Sequence, residues 1–209
     1  MKVLSLLITF CLLQALMCVS LEVNEQTLRN AASKSLPFVK VFHQDSLNIE
    51  NRGQLHGITL KYPLLTIGNM QFKFDDFGLL HIKYLNLRLQ ISGKNRVQVM
   101  HFGFESKFEA ELNNFNWEQI FAIKLNDLGN GKVEIKYTKT SESEINFNIS
   151  KFNSKTQAKF NIRDMDNSIK TQIRQLNFNP LKEQLRKITQ LTFDTLQNEF
   201  NQYIIINNK

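Results

Sequence analysis

From Leu80 to Leu112 apolar and polar residues alternate over a span longer than the 3–10 residues of most strands. Leu80, Ile82 and Tyr84 share one parity, and Leu85, Leu87, Leu89 and Ile91 share the other. Successive side chains of a strand point to opposite faces, so each set belongs to one face of a sheet. The change of parity at Tyr84 and Leu85 predicts a bulge that bends a long strand. Ser92-Gly93-Lys94-Asn95 reads as a turn. Beyond it Met100, Phe102, Phe104, Phe108, Ala110 and Leu112 alternate with Gly103, Glu105, Lys107, Glu109 and Glu111. Two such runs must pair with each other and cover one apolar face, which is the pattern of an antiparallel, half-buried sheet.

The flanking sequence supplies more strands and the cover. Residues 22–42 are mildly helical, with Leu28, Ala31, Ala32, Ser35 and Leu36 on one face and Pro37 ending or kinking the element. Ile58, Leu60, Tyr62 and Leu64 alternate, as do Met70, Phe72 and Phe74 before an Asp75-Asp76-Phe77-Gly78 turn. Shorter strands are expected at Phe121 to Leu125, Val133 to Tyr137 and Ile145 to Ile149, with Gly129-Asn130-Gly131 as a hairpin and Phe160 and Ile162 in a last strand. From Asp164 the period becomes helical. Met165, Ile169, Ile173 and Leu176 form one stripe, and Leu181, Leu185, Ile188, Leu191, Leu196, Phe200 and Tyr203 form another. Asn179 is placed to cap at Pro180, which either kinks one helix or divides two. The predicted fold is α+β: a long, strongly curved antiparallel sheet wrapped around a long C-terminal helix, with a short N-terminal helix.

The first twenty residues are of another kind. Met1-Lys2 gives a charged start, Val3 to Val19 is mostly apolar, and Cys18-Val19-Ser20 offers a cleavage site. Residues 1–20 are read as a cleaved signal peptide and 21–209 as a single domain, secreted and extracellular. A retained anchor is the competing reading, but no Lys or Arg cluster follows to stop transfer. Both cysteines, Cys11 and Cys18, fall in this segment. The remaining chain then has no thiol for catalysis, zinc binding or a disulfide, and is held together by burial alone. The aromatics suit an interior: 17 Phe against 4 Tyr and 1 Trp. A net charge of +7, of which the leader removes only Lys2, favours acidic partners such as an anionic membrane surface. No nucleic-acid motif accompanies it.

Between Arg52 and Phe108 the order is a glycine, a strand, a run of alternating Leu, then Ile91-Ser92-Gly93-Lys94 and a Phe-rich strand. With the flanking helices this resembles the N-terminal module of the bactericidal permeability-increasing and lipopolysaccharide-binding proteins, the tubular lipid-binding superfamily. Asn95 stands where that family usually has Trp, Arg96 is followed by Val97, Gln98, Val99 and Met100 in place of closely spaced basic residues, and the family's disulfide has no cysteines. The resemblance implies an apolar tunnel holding acyl chains of a phospholipid or glycolipid, lipopolysaccharide among them. Leu87, Leu89, Ile91, Phe102, Phe104, Phe108, Leu185, Leu196 and Phe200 are the candidate lining. Lys94, Arg96, Arg186 and Lys187 are the candidate headgroup or membrane contacts. Without the resemblance the same stripes close a dry core, and the chain is a secreted protein that binds other proteins or a surface. A lipocalin-like barrel is the alternative fold, but its Gly-x-Trp at the first strand is missing.

Enzyme chemistry has little support. His43, His56, His81 and His101 lie in separate segments without metal-ligand spacing, so neither metal nor cofactor is expected. Asp75-Asp76 suits a turn, and Glu105, Glu109 and Glu111 alternate with apolar residues as an exposed face does. No nucleophile elbow is present. Asn148-Ile149-Ser150 is a glycosylation sequon with Asn148 on the solvent parity. Lys151, Lys155, Lys159, Arg163, Lys170, Arg174, Lys182, Arg186 and Lys187 thicken the positive charge toward the C-terminus, as a solvated face or as a patch for anionic lipid. A monomer is expected.

Overall fold

Asn24 opens the first helix. Its side chain accepts a hydrogen bond from the Thr27 N–H, and the Thr27 hydroxyl oxygen accepts one from the Asn24 N–H. This reciprocal box satisfies donors that a helix start leaves free, and α1 (Glu25–Ser35) follows. Leu28, Ala31, Ala32 and Ser35 form its buried face, as their spacing predicts. Pro37 ends it in one 3-10 turn, Leu36–Phe38. The computed structural model describes residues 22–38, 47–49, 54–61, 65–99, 102–129, 132–156 and 162–207. The expected leader with both cysteines, His43, Met100 and His101 lie outside these residues, as do the side chains of Arg163 and Asp164.

Seven strands follow: β1 (Leu47–Ile49), β2 (Leu55–Lys61), β3 (Met70–Phe74), β4 (Leu80–Val99), β5 (Phe102–Gly129), β6 (Lys132–Glu142) and β7 (Asn146–Thr156). They make one open antiparallel sheet with β4 and β5 as its spine, paired from Leu80 against Phe121 to Val99 against Phe102. On the far side of β4, β2 pairs with residues 90–95 and β3 with residues 80–84, and β1 lies beyond β2. On the far side of β5, β6 pairs with residues 119–129 and β7 with residues 106–116. Each short strand thus covers half of a long edge.

The predicted bulge is present. The β4 register shifts between Tyr84 and Leu87, with Asn86 at φ 55°. A second bulge faces it, with Asn114 at φ 53°. It moves the inward parity of β5 from Phe108, Ala110 and Leu112 to Phe115, Trp117, Gln119 and Phe121. The Asn86 N–H donates to Asn116 Oδ1 at 3.0 Å, so both strands bend at one level. Asparagine tolerates this left-handed backbone better than most residues.

Three expectations are corrected. Ser92 to Asn95 are not a turn: they lie within β4 and pair with Glu109 to Ser106 of β5. Gly93 serves a close approach instead, because a Cβ there would meet the Phe108 ring at 3.0 Å. Second, β5 does not stop at Leu112 and resume at Phe121; its polar Asn113, Asn114 and Asn116 stay in the strand. Third, Ile162 belongs to a helix, α2 (Ile162–Arg174), and not to a last strand.

Pro180 divides two helices. Residues 175–178 separate α2 from α3 (Asn179–Asn207). The first turn of α3 is tied by Asn177 and not by Asn179: Asn177 Oδ1 accepts the Asn179 N–H at 2.9 Å. Leu181, Leu185, Ile188, Phe193, Leu196 and Phe200 are buried, whereas Leu191 and Tyr203 are each 36% exposed. At 3.6 residues per turn Leu191 falls beside the stripe, and Phe193 fills it.

Polar ties seat the helices on the sheet. The buried Tyr84 hydroxyl donates to the Leu185 carbonyl at 2.8 Å and meets Thr189 Oγ1 at 2.9 Å, and Gln119 Nε2 donates to the same Thr189 at 3.1 Å. Asn201 and Gln197 of α3 accept the Val133 and Ile135 N–H groups of β6, so α3 also closes that sheet edge. The α2 helix reaches β7 through Asp166 and Ser154, and reaches the start of β2 through Gln172, which accepts the Gln54 N–H at 3.2 Å. Among the described residues no helix is long and apolar enough to cross a membrane.

Candidate functional site

The apolar faces of sheet and helices meet in one continuous cluster. Leu87, Leu89 and Ile91 of β4, Phe108 of β5, and Leu185, Leu196 and Phe200 of α3 are all buried in it. Phe104 is half-buried, and the Phe102 side chain lies outside the described residues. These residues are spread along the whole length of the interior. Leu185 lies against Tyr84, Phe108 lies beside Gly93, and Leu196 and Phe200 flank the Gln197 and Asn201 contacts to β6.

One part of this interior reaches the surface. A cavity of about 220 Å3 opens where residues 174–182, between and beside the two helices, face the start of β7. Its apolar wall is Ile145, Phe147, Leu176 and Phe178. Phe147 packs edge-on against Phe178 with centroids 5.3 Å apart, and Phe178 packs edge-on against Phe115 at 6.0 Å. Since Phe115 is fully buried, these packed rings connect the wall of the opening to the core.

Cations stand at this opening. Arg174 is exposed on the rim, and Lys182 lies 5.8 Å from the centre of the Trp117 ring. Arg186 sits 5.6 Å from the same ring and donates to both oxygens of Glu142 at 2.8 Å. Burial pushes the Glu142 carboxyl up, but hydrogen bonds from Arg186 and Lys139 outweigh it and bring the group to about 2. Lys182 is 3.7 Å from that carboxylate. The arrangement sets an apolar wall beside Arg174 and Lys182, with the carboxylate of Glu144 also on the lining, which suits an amphiphile with a polar, anionic head.

No family model matches the chain, and no curated protein matches it. Among solved structures, one described as lipopolysaccharide binding protein aligns with 87% of this chain at 12% identity and a TM-score of 0.44. The chain spans 41% of that protein's chain.

The four cations singled out from the sequence fall into two groups. Lys94 pairs with Glu105 at 2.8 Å on the solvent face of β4, and Arg96 is exposed on the same face. Arg186 and the exposed Lys187 lie on α3 near Tyr84, which is roughly 40 Å from Arg96 along an extended strand. Asn148 is exposed on β7. The hydroxyl of Ser150 in its sequon accepts from Asn113 Nδ2 at 2.7 Å.

Both described histidines pair with acidic residues. His56 Nε2 meets Glu105 at 3.0 Å. His81 lies between Glu118 at 2.6 Å and Asp75 at 3.2 Å, and hydrogen bonding to Glu118 and then Asp75 holds its imidazole above the usual histidine range. Asp75 also accepts the N–H groups of Phe77 and Leu79, which fixes the β3–β4 turn. Among the described residues, no group of three or more His, Cys, Asp and Glu is placed to hold a metal ion.

Sequence reasoning missed Phe178. Its signal was an aromatic residue between Asn177 and Asn179, in the segment just before Pro180 where the helical stripe breaks.

Proposed function

We propose that this chain is a secreted lipid-binding protein that holds acyl chains of a phospholipid or glycolipid between its sheet and its helices, for transfer, sensing or defence. The observation that carries this reading is the mouth at the α2–α3 junction: an aromatic wall packed onto the core, with Arg174, Lys182 and Glu144 on the lining. Each acyl CH2 moved from water into such an interior contributes about 0.8 kcal/mol. The two cations add attraction for an anionic head, screened by salt. A pocket that takes in a drug-sized ligand measures roughly 300–1,000 Å3, so the 220 Å3 opening takes only one end of a chain as it stands. Full entry moves α2 and α3 apart at residues 175–178. The leader-like segment 1–20 supports secretion.

Native mass spectrometry of the secreted protein, followed by organic extraction, tests the reading. Acyl lipid that co-purifies with the protein and is absent from a mock preparation is the expected result. A mass that stays that of the bare chain after incubation with phospholipid and glycolipid vesicles contradicts it, and favours a dry-cored protein that binds other proteins.

A further inference from the structure

Beneath α2 the apolar interior contains a polar pair. Asn95 of β4 and Ser106 of β5 stand directly opposite each other and are 0% and 3% exposed. Asn95 Nδ2, Asn95 Oδ1 and Ser106 Oγ have no hydrogen-bond partner. Their inward aim follows from the alternation. Ser106 continues the buried series Phe108, Ala110 and Leu112, and Asn95 pairs across the sheet with the fully buried Leu55. Lys94, Arg96 and Lys107 belong to the opposite parity, with Lys94 committed to Glu105. The α2 helix roofs this spot, since it is anchored to β7 at Ser154 and to β2 at Gln54 on either side.

Buried polar atoms are ordinarily satisfied, and an amide left with neither bond is an exception that needs a partner. The unmatched groups are the Asn95 amide NH2, which donates, its Oδ1, which accepts, and the Ser106 hydroxyl, which acts either way. Among the described residues of the sheet, no cation faces the pair to neutralise a charged group. An ester carbonyl only accepts, and leaves Asn95 Oδ1 unmatched. An alcohol donates to Asn95 Oδ1 and, through its two lone pairs, accepts from both Asn95 Nδ2 and Ser106 Oγ, so each unmatched atom gains a bond. Resting on the lipid-binding reading above, we infer that Asn95 and Ser106 form a specificity site for a hydroxyl group carried on the acyl chain of the bound lipid. The head of that lipid sits at the Arg174 and Lys182 mouth, and its hydroxylated chain runs under α2.

The test titrates the full chain with octadecanoate and with a panel of hydroxyoctadecanoates differing in hydroxyl position, all of which offer the same carboxylate to the mouth. One positional isomer is expected to bind about tenfold tighter than octadecanoate, roughly 1.4 kcal/mol. Asn95→Leu is expected to abolish that gap while still binding octadecanoate, and Ser106→Ala to narrow it. Melting curves show that each variant folds, and Ser106→Ala decides the matter if Asn95→Leu does not. No isomer preference in the wild-type chain, or a preference that survives both substitutions, overturns the hydroxyl site and leaves a buried water as the partner of the pair. Failure of the wild-type chain to bind any of these acids overturns the lipid-binding reading itself, and the hydroxyl site with it.

Discussion

Gly93 illustrates how a single residue governs the sheet. Its position in a Ser-Gly-Lys-Asn string suggests a turn, yet its role is to leave room for the Phe108 ring on the neighbouring strand. Gly93→Val therefore forces that ring to move within a packed interior and is expected to cost about 1–3 kcal/mol in denaturant unfolding. His81 gives a second expectation. Its imidazolium donates to Glu118 and to Asp75, and its pKa is raised in the folded state. Such a group stabilises fully below the unfolded value of about 6.5, and the contribution is lost as pH rises through the higher folded value. His81→Gln should thus lower the melting temperature at about pH 6 and lower it less at about pH 9. An equal deficit at both pH values would show that the two carboxylates do not act on the ring's charge.

At the scale of elements, Glu142 joins the end of β6 to α3 through Arg186. With its carboxyl brought down to about 2, this tie is complete above the ordinary glutamate range and is lost as pH falls toward that value. Glu142→Gln is expected to be less stable than the wild type at neutral pH and to converge with it as both are acidified. At the mouth, Arg174→Glu with Lys182→Glu should weaken binding to phosphatidylglycerol vesicles several-fold and leave binding to phosphatidylcholine vesicles nearly unchanged. An equal loss on both would mean that the pair acts through folding and not through charge. Much of this organisation was legible from the residues. The parity change at Tyr84 and Leu85 located the β4 bulge because a period of two leaves no other way to keep both apolar sets inward. The continuity of β5 was hidden because Asn113, Asn114 and Asn116 have the chemistry of a loop, and only pairing along β4 and β7 holds them extended. The mouth was not legible, since residues 144–147 and 174–182 meet only once the sheet has bent and Pro180 has divided the helices. Leu87, Leu89, Ile91, Phe108, Leu185, Leu196 and Phe200 were legible as inward-facing stripes, and Lys94 and Arg96 as solvent-facing cations on the opposite parity of β4.

For the whole molecule, the open sheet and the covering helices form one arrangement, held by a single apolar cluster that runs between them. Tyr84 and Trp117 stack at 5.9 Å beneath Lys182 and Arg186, so the chain's one tryptophan lies in the interior close to the mouth. Trp117 is 1% exposed and its Nε1 has no hydrogen-bond partner. A bromine atom carried into the core on an acyl chain would approach this ring, whereas one kept at the surface would not. The most direct measurement is therefore Trp117 fluorescence during titration with 9,10-dibromooctadecanoate, with unbrominated octadecanoate as the control. Lipid carriage in the interior predicts saturable quenching by the brominated acid alone. Fluorescence that stays unchanged while the acid binds would place the ligand outside the core and contradict it.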